Sequence, residues 1–344
     1  MEYGAIDLHT QRSQIRIVET TGTVVLDAKV STTRAELDRL WGGRAPMTIL
    51  FESSTESEWV AQHLETLGHV VVVADPNYLP MYGQRSRRIK TDRRDVAALA
   101  EACRTGTYRA AHRASAAARG RRRALRIRRK LIAARSGQIS LLRSMLRQEG
   151  LRLRSGAADT VLTRLSRLTL PADLVTCLSP LRESLETLTR LVGAADAHLH
   201  AEAVADPTTQ RLMSAPGVGP VVALTYQAVL DTPARFGGDP RRASAFLGLV
   251  PSEDSSAERH HKGHITKSGP RELRALLVQA SWVVWRGKGP DGAALRRWAH
   301  ALAARRGRRI AVVALARRLG RILFALWRDE TAFQERSTAR PTAG

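Results

Sequence analysis

Three features of the sequence predict an α/β fold followed by a helical one. Up to residue 104, short apolar runs alternate with helix-like segments, which is typical of a sheet covered by helices. From Thr105 to Ala158, fifteen residues are Lys or Arg and only Glu149 is acidic, in a long helical pattern. Apolar residues recur at helical spacing again after Asp206. We therefore predict an α/β domain over 1–108, a basic helical arm over 109–205, a mainly helical domain over 206–330 and a disordered tail over 331–344.

The first domain is predicted to contain five strands and three helices. The runs that begin at Met47 and His69 are continuous enough to be buried on both faces. Thr20-Thr21-Gly22 predicts a hairpin turn between the second and third strands. The predicted strands are Gly4–Leu8, Gln14–Glu19, Thr23–Val30, Met47–Glu52 and His69–Ala74. The predicted helices are Thr33–Trp41, Glu56–Leu67 and Lys90–Cys103.

The arm is predicted to consist of two long helices. In the first, apolar residues between Leu131 and Leu146 recur at helical spacing. In the second, apolar residues from Leu181 to Leu199 alternate by four and three, which is the heptad pattern of a coiled coil. We predict an antiparallel coiled-coil arm, with ordinary helix packing inside one domain as the alternative.

The C-terminal domain is predicted to hold two amphipathic helices, Arg271–Arg286 and Arg308–Trp327, after a loop over Arg241–Lys267 in which Ala243–Val250 is strand- or helix-like. Further upstream, the segment APGVGP is similar to the turn of a helix-hairpin-helix element. In such an element, backbone amides at Gly217 and Gly219 would bind DNA phosphate without reading sequence. A simple turn is the alternative.

The charge of the chain predicts a polyanionic partner. There are 55 Lys and Arg against 32 Asp and Glu, which gives a net charge of +23. Nucleic acid is the usual partner of such a surface, and a basic protein without a specific partner is the alternative. The candidate nucleic-acid contacts in the first long helix are Arg121, Arg122, Arg123, Arg126, Arg128, Arg129 and Lys130.

The sequence favours a cytoplasmic protein with no membrane partner. No signal peptide is recognisable, and no apolar run approaches the roughly 20 residues that a membrane span needs. Cys103 and Cys177 have neither metal-ligand nor disulfide spacing, which fits a reducing compartment.

Four acidic residues form the first candidate site. Asp7 and Glu52 end predicted strands, and Asp92 and Asp95 share one face of a predicted helix. Converging carboxylates repel one another, and Mg²⁺ relieves that repulsion while keeping positions for phosphate oxygens. The order of these acids matches a ribonuclease-H-like nuclease sheet. The alternative is that each acid is a turn, cap or surface ion-pair residue.

The polar, hydroxyl-rich loop over Gly248–Gly269 is the second candidate site. A serine hydroxyl can attack phosphorus if a base or metal activates it and cations neutralise the developing charge. A phosphate-binding loop without a covalent role is the alternative. Zinc is not favoured for the three histidines of the loop, since no further Cys or His lies at ligand spacing. The candidate cations are Arg259, Lys262 and Lys267.

Together these motifs resemble the DEDD transposases of the insertion-sequence one-ten group, which are relatives of the Piv DNA invertase. The resemblance covers nearly the whole chain. The N-terminal matches, which contain the four acids, are GAIDLHT, LFESS and IKTDRRDVAALA. The C-terminal matches are SAPGVGPVVA, AFLGLVPSEDSSAERHHKGHITKSG and LRALLVQASW.

The resemblance implies a DNA recombinase with a composite site. The N-terminal domain would be similar to the RuvC Holliday-junction resolvase and would bind Mg²⁺ through the four acids. The C-terminal domain would supply a serine that forms a transient phosphoserine link to DNA, by position Ser256, with Ser255 as the second choice. A structured noncoding RNA would bridge donor and target DNA. A homo-oligomer, dimer or tetramer, would bring the acids of one protomer to the serine of another.

One residue departs from the family pattern, since Ala257 follows the serine where the family usually has glycine. A positive φ at this position would cost alanine ~1 kcal/mol or more. Two other functions stay open from the residues alone. One is a metal-dependent hydrolytic, RuvC-like nuclease, and the other is a non-catalytic nucleic-acid-binding protein. The sequence contains no P-loop motif for ATP, which a covalent intermediate would not need.

Overall fold

The computed structural model describes residues 1–78, 92–256 and 259–335, with the backbone alone at 253–256 and 259–262. The chain divides into two compact units, 1–113 and 114–344. The three domain ranges expected from the sequence stay a prediction. Residues 336–344 of the predicted tail lie outside the described residues.

The first unit is built on a mixed five-stranded sheet in the order β3-β2-β1-β4-β5. Strand β1 pairs antiparallel with β2 and parallel with β4, β2 pairs antiparallel with β3, and β4 pairs parallel with β5. This arrangement is consistent with the expected ribonuclease-H-like sheet. The strands are β1 (Glu2–Asp7), β2 (Arg12–Glu19), β3 (Val24–Ser31), β4 (Thr48–Glu52) and β5 (Val70–Ala74).

Three helices cover the two faces of this sheet: α1 (Arg34–Trp41), α2 (Ser57–Thr66) and α3 (Asp92–Thr105). The predicted helices are confirmed, although the expected start of the third at Lys90 lies outside the described residues. On one face, Ile6 and Phe51 pack with residues of α1 and α2. On the other face, Ala5 and Leu50 pack with Val96, Leu99 and Cys103 of α3. Consecutive strand residues face opposite sides, so residues two beyond Ala5 and Leu50 face α3.

The second unit begins with two long helices, α4 (Ala116–Gln148) and α6 (Ala172–Ala205), which flank the short helix α5 (Val161–Leu165). The long helices are antiparallel. The Arg121 side chain contacts Glu202, the Arg128 side chain contacts Asp196, and Gln138 contacts Ser184 farther along. Leu185, Val192 and Leu199 of the heptad are buried. Two packed helices are thus confirmed, whereas the coiled coil itself stays a prediction.

The rest of the second unit is mostly helical around one large apolar core. Its described helices are α7 (Pro207–Met213), α8 (Pro220–Leu230), α9 (Pro240–Phe246), α10 (Arg271–Arg286), α11 (Ala293–Arg306) and α12 (Arg308–Arg328). The two amphipathic helices predicted from the sequence are α10 and α12, and both are confirmed. Within the described ranges, no helix combines the length and apolar character needed to cross a membrane.

The single loop predicted over Arg241–Lys267 is wrong. Helix α9 covers its first part, and β6 (Pro251–Ser256) and β7 (Arg259–Ile265) form an antiparallel hairpin. These strands were not predicted because PSEDSS and RHHKGHI lack the alternating apolar residues by which strands are recognised in a sequence. They are identified by the hydrogen bonds between them. Helix α11 was also missed, because its alanine-rich sequence has high helix propensity but weak apolar periodicity.

Candidate active site

The strand register brings Asp7 and Glu52 side by side. Strands β1 and β4 pair in parallel up to Ile6 opposite Phe51, so the next residue of each strand is one of these acids. Paired strands lie about 4.8 Å apart. Asp7 lies two residues beyond Ala5, and Glu52 lies two residues beyond Leu50, so both acids are on the face of the sheet that packs against α3. Both are the last residues of their strands. The sheet therefore places two carboxylates together on one face.

Helix α3 adds Asp92 and Asp95 to this edge of the sheet. Asp92 lies four residues before the buried Val96, and Asp95 lies four residues before the buried Leu99. Because residues four apart share a helix face, both acids belong to the stripe that packs on the sheet. Asp92 and Asp95 therefore lie on the face of the sheet that carries Asp7, and the charges of both reach Asp7. Of the four predicted acids, Asp7 and Asp92 bring ligand atoms within 4.8 Å of one another, whereas Glu52 and Asp95 are not part of that group.

Two basic side chains lie among these carboxylates. His9 Nε2 lies 3.3 Å from a carboxylate oxygen of Asp7 and 3.9 Å from one of Asp92. Lys29 Nζ donates a hydrogen bond of 2.9 Å to Asp92. This hydrogen bond and the charge of Lys29 lower the pKa of Asp92. The side chain of Asp92 is 45% exposed and that of Asp7 is 18% exposed, so Asp7 is the inner acid of the pair.

The inner position of Asp7 changes its acidity. Burial raises the pKa of Asp7, and the charges of Asp95 and Asp92 raise it further against the opposing effect of His9. The neighbouring Glu52 has a buried carboxylate oxygen, Oε1, with no hydrogen-bond partner in the described part of the chain. A crowded carboxyl beside a buried, unpartnered carboxylate oxygen is an arrangement that a bound cation would stabilise.

The donor atoms fit a divalent cation. Asp7, His9 and Asp92 can each offer one ligand atom, with these atoms within 4.8 Å of one another. Mg²⁺ prefers carboxylate oxygens and keeps several waters, which the two exposed partners of Asp7 would allow. The site is therefore a candidate metal centre, with carboxylates as its main ligands and an imidazole at its edge.

Sequence reasoning missed His9, Lys29 and a third group around Asp27. Asp27 accepts hydrogen bonds from Gln14 and Arg16 of the sheet and, at 3.2 Å, from Arg93 of α3. Burial alone would raise the pKa of Asp27, but these hydrogen bonds lower it. The contacts hold the first turn of α3 against the sheet. One signal was available, because period-two spacing puts His9 on the same side of the chain as Asp7.

The second candidate site lies on the β6–β7 hairpin. Ser256 is the last residue of β6 and pairs with Arg259, while Ser255 pairs with His260 and Lys262 pairs with Glu253. Ala257 lies outside the described residues. The backbone pairing thus places one predicted cation, Arg259, directly across from the predicted nucleophile.

The base of the hairpin is tightly braced. Gly248 has a φ of +65°, and a Cβ there would lie 2.1 Å from the carbonyl oxygen of Ser268, so only glycine fits. The Lys267 amide donates to the Gly248 carbonyl at 3.1 Å. Arg274 of α10 donates to the carbonyls of Leu247 and Ser268, both at 3.0 Å. These contacts fix the backbone at the base of the hairpin.

The basic residues of α4 divide into two groups. Arg121 is committed to the fold, because it donates to Glu202 at 2.8 Å and to Asp206 at 2.6 Å. Arg122 donates to the carbonyl of Ala228, and two others form ion pairs: Arg128 with Asp196 and Arg129 with Glu272. Of the predicted nucleic-acid contacts in α4, those that are exposed and have no ion-pair partner in the described part of the chain are Arg123, Arg126 and Lys130.

This division predicts opposite effects for two neighbouring arginines. We expect Arg121→Met to lower the free energy of unfolding by about 2–3 kcal/mol, because it leaves part-buried carboxylates unpaired. Burial alone would raise the pKa of Asp206, and hydrogen bonds from Thr209 and Gln227 outweigh it, so this carboxylate stays charged. Arg123→Met should change stability by less than about 0.5 kcal/mol but weaken nucleic-acid binding. Denaturant titration measures the free energy of unfolding, and binding isotherms measure the affinity for nucleic acid. Equal stabilities of the Arg121→Met and Arg123→Met variants would contradict the division into two groups.

The glycine segment lies between α7 and α8. Gly217 has a φ of +76°, and a Cβ there would lie 2.6 Å from the carbonyl oxygen of Ala280, whereas Gly219 is the N-cap of α8. Gly217 is therefore needed for close packing against α10. The glycine turn joins two short helices, and both the helix-hairpin-helix element and its contact with phosphate stay predictions.

Family models match both units of the chain. A transposase model of the DEDD IS110 group matches residues 5–150, and a model for transposases of the IS116/IS110/IS902 family matches residues 209–296. The first range includes the four acids, and the second includes the glycine segment and the serine hairpin. The resemblance inferred from the motifs is therefore confirmed.

Relatives extend this similarity along the chain. A probable family 20 transposase of Pseudomonas aeruginosa is 29% identical over 335 residues, covering 96% of this chain and 97% of the relative. The transposase for insertion sequence element IS1111A of Coxiella burnetii is 31% identical over 248 residues, covering 70% and 68%. The transposase for IS1328 of Yersinia enterocolitica is 25% identical over 334 residues, covering 96% and 98%. The chain therefore belongs to the IS116/IS110/IS902 family of transposases and is an enzyme that cuts and rejoins DNA.

Proposed function

We propose that this transposase joins DNA strands through a serine nucleophile that acts together with a Mg²⁺-binding acidic site. The observation that carries the proposal is the grouping of Asp7, Asp92 and His9, whose ligand atoms lie within 4.8 Å of one another, together with Glu52 Oε1, which is buried and unpartnered in the described chain. Lys29 and His9 offset part of the repulsion, and a bound cation would offset more of it, since the pKa of Asp7 is raised and Glu52 Oε1 has no partner in the described chain.

Each residue near the acids has a proposed task. Asp7, Glu52, Asp92 and Asp95 would hold the cation, which would neutralise charge on a bound phosphodiester. Lys29 would fix the carboxylate of Asp92 through its hydrogen bond, and Arg93 would hold the start of α3 through Asp27. His9 would offer an imidazole nitrogen beside Asp7 and Asp92, at the open side of the site.

The proposed chemical step starts at Ser256, with Ser255 as the second choice. Its hydroxyl oxygen attacks phosphorus and the hydroxyl proton passes to a base. The bond from phosphorus to one sugar oxygen breaks, and that oxygen takes up a proton. The products are a phosphoserine link and a strand with a free hydroxyl. A hydroxyl from another strand then attacks the phosphoserine and frees the serine. Arg259 would neutralise the developing charge, with Lys262 and Lys267 as further phosphate contacts.

The nucleic-acid partners are also proposals. We propose that donor and target DNA are bridged by a structured noncoding RNA of the element, as the family resemblance implies. The exposed Arg123, Arg126 and Lys130 of α4 are the strongest candidates for backbone contacts, because they have no ion-pair partner in the described chain. In a homo-oligomer, the acids of one copy would meet the serine of another.

The first experiment tests the cation. Protein, RNA and both DNAs are mixed with EDTA, and Mg²⁺ is then added in excess. We expect no joined DNA in EDTA and full recovery with Mg²⁺, because the acids need a cation to approach phosphate. Binding of the RNA should change less than about threefold, since backbone contacts by arginine persist in EDTA. Joined product in EDTA would contradict the proposed role of the acids.

The rival function is hydrolysis by the acidic site alone. A hydrolytic nuclease releases cut DNA and never forms a link to protein. The serine mechanism instead predicts labelled DNA that migrates with the protein after denaturation. Cut DNA without such an adduct at any time during the reaction would favour the rival.

A further inference from the structure

Helices α11 and α12 carry an unusual concentration of positive charge. Their sequences, AALRRWAHALAARR and RRIAVVALARRLGRILFALWR, contain ten arginines and no acidic residue. Surface arginines of this protein are commonly paired, as Arg121, Arg128 and Arg129 are in α4. Arg328 does pair with Asp329 just beyond α12. Because neither helix contains an acid of its own, the two helices together still carry an excess of positive charge, which favours an anionic partner.

One part of this surface is concave. A cavity of about 660 Å³ lies between α9, α11 and α12. Residues along one face of α12 line the cavity. The small side chains of Ala314 and Ala325 leave the space open, and the arginines between them supply positive charge. Trp298 of α11 lines the cavity too. The lining arginines are Arg317, Arg318 and Arg321, and no lining residue is acidic.

The side chains of the cavity combine an aromatic ring with unpaired charge. The guanidinium of Arg318 lies 4.7 Å from the centre of the Trp298 ring, a cation–π contact that joins a planar cation to an aromatic ring. Arg317 and Arg321 have no hydrogen bond or ion pair with any residue that the structure describes. A flat surface with two adjacent cations matches a nucleotide, which has a planar base and flanking phosphates.

We propose that this cavity binds one unpaired nucleotide of a single-stranded polynucleotide. The base would stack on the Trp298–Arg318 pair, and Arg317 and Arg321 would contact the adjacent phosphates. A duplex is a poorer occupant, because its bases are stacked inside the helix and cannot enter a cavity. The site lies within the second unit and needs none of the four acids, so it stands independently of the proposed catalysis.

The test measures binding by the full chain in EDTA at roughly 0.15 M salt, where distant charges are screened. The probe is a labelled oligothymidylate of about 15 nucleotides. We expect Arg318→Gln with Arg321→Gln to weaken binding about tenfold. The matched control, Arg305→Gln with Arg306→Gln, removes the same charge from the end of α11 outside the cavity and should weaken it less than about threefold. Equal losses would overturn the proposal.

A second measurement isolates the base without relying on a variant that could misfold. An abasic oligonucleotide of the same length keeps the phosphates and removes the bases. It should bind the unchanged protein about tenfold more weakly than oligothymidylate, and Trp298→Leu should abolish this difference. Oligouridylate should behave like oligothymidylate if the base alone is recognised. The cavity variant and the control variant should weaken the binding of a duplex to the same extent. Equal binding of abasic and normal strands would overturn the proposal.

Discussion

Asp7→Asn is expected to reduce DNA joining by at least about a hundredfold while leaving the protein as stable as before or more stable. The amide keeps the shape of the carboxyl but removes one negative charge from the metal centre. In the absence of a cation, burial and the charges of Asp95 and Asp92 raise the pKa of Asp7. The fold therefore disfavours its ionised form, and this penalty grows as the pH rises through that raised pKa. A neutral amide removes the penalty.

Lower DNA joining together with unchanged or higher stability would distinguish a catalytic role of Asp7 from a structural one. Joining assays measure the loss, and thermal unfolding in EDTA at neutral pH measures the stability. The matched control is Glu186→Gln, which removes an acid from an exposed position of α6 without an ion-pair partner in the described chain. It should leave both quantities unchanged. Parallel losses of stability and joining would show that Asp7 serves the fold, and near-normal joining would exclude it from the active site.

The main elements of the first unit could be predicted because its sheet is buried. Strands β4 and β5 are short apolar runs, and the pairing of β1 with β4 then determines where Asp7 and Glu52 lie. The same pattern does not predict the role of Lys29. Lys29 lies on β3, two strands from β1 in the sheet, and its contact with Asp92 of α3 depends on the strand order β3-β2-β1-β4-β5.

In the second unit, sequence patterns predict neither the β6–β7 hairpin nor which basic residues form ion pairs. The β6–β7 hairpin is polar on both strands, so its existence depends on hydrogen bonds rather than on burial. A list of basic residues likewise cannot separate Arg121, which pairs with Glu202 and Asp206, from the exposed Arg123. The partners come from helices distant in sequence, and only the folded chain shows which charges are left for nucleic acid.

Ser256→Ala is expected to abolish both the protein–DNA adduct and the joined product, by at least roughly a thousandfold. The missing hydroxyl is the atom that would form the bond to phosphorus, so no neighbouring group can replace it. DNA and RNA binding should change less than about twofold, because alanine removes no charge. Ser252→Ala is the matched control on the same hairpin; it loses only a 3.0 Å hydrogen bond to the His264 carbonyl and should keep most of the activity.

The adduct assay on three variants then assigns the nucleophile. If Ser255→Ala loses the adduct and Ser256→Ala keeps it, the nucleophile is Ser255, one residue earlier in β6. If both variants keep cutting DNA, the hairpin only binds phosphate and the acidic site acts as a hydrolytic nuclease. Asp7→Asn completes the comparison. If the acids position the phosphodiester for the serine, this variant loses the adduct as well, since attack on an unneutralised phosphate is slow. If Asp7→Asn still accumulates the adduct, the acids act only after serine attack.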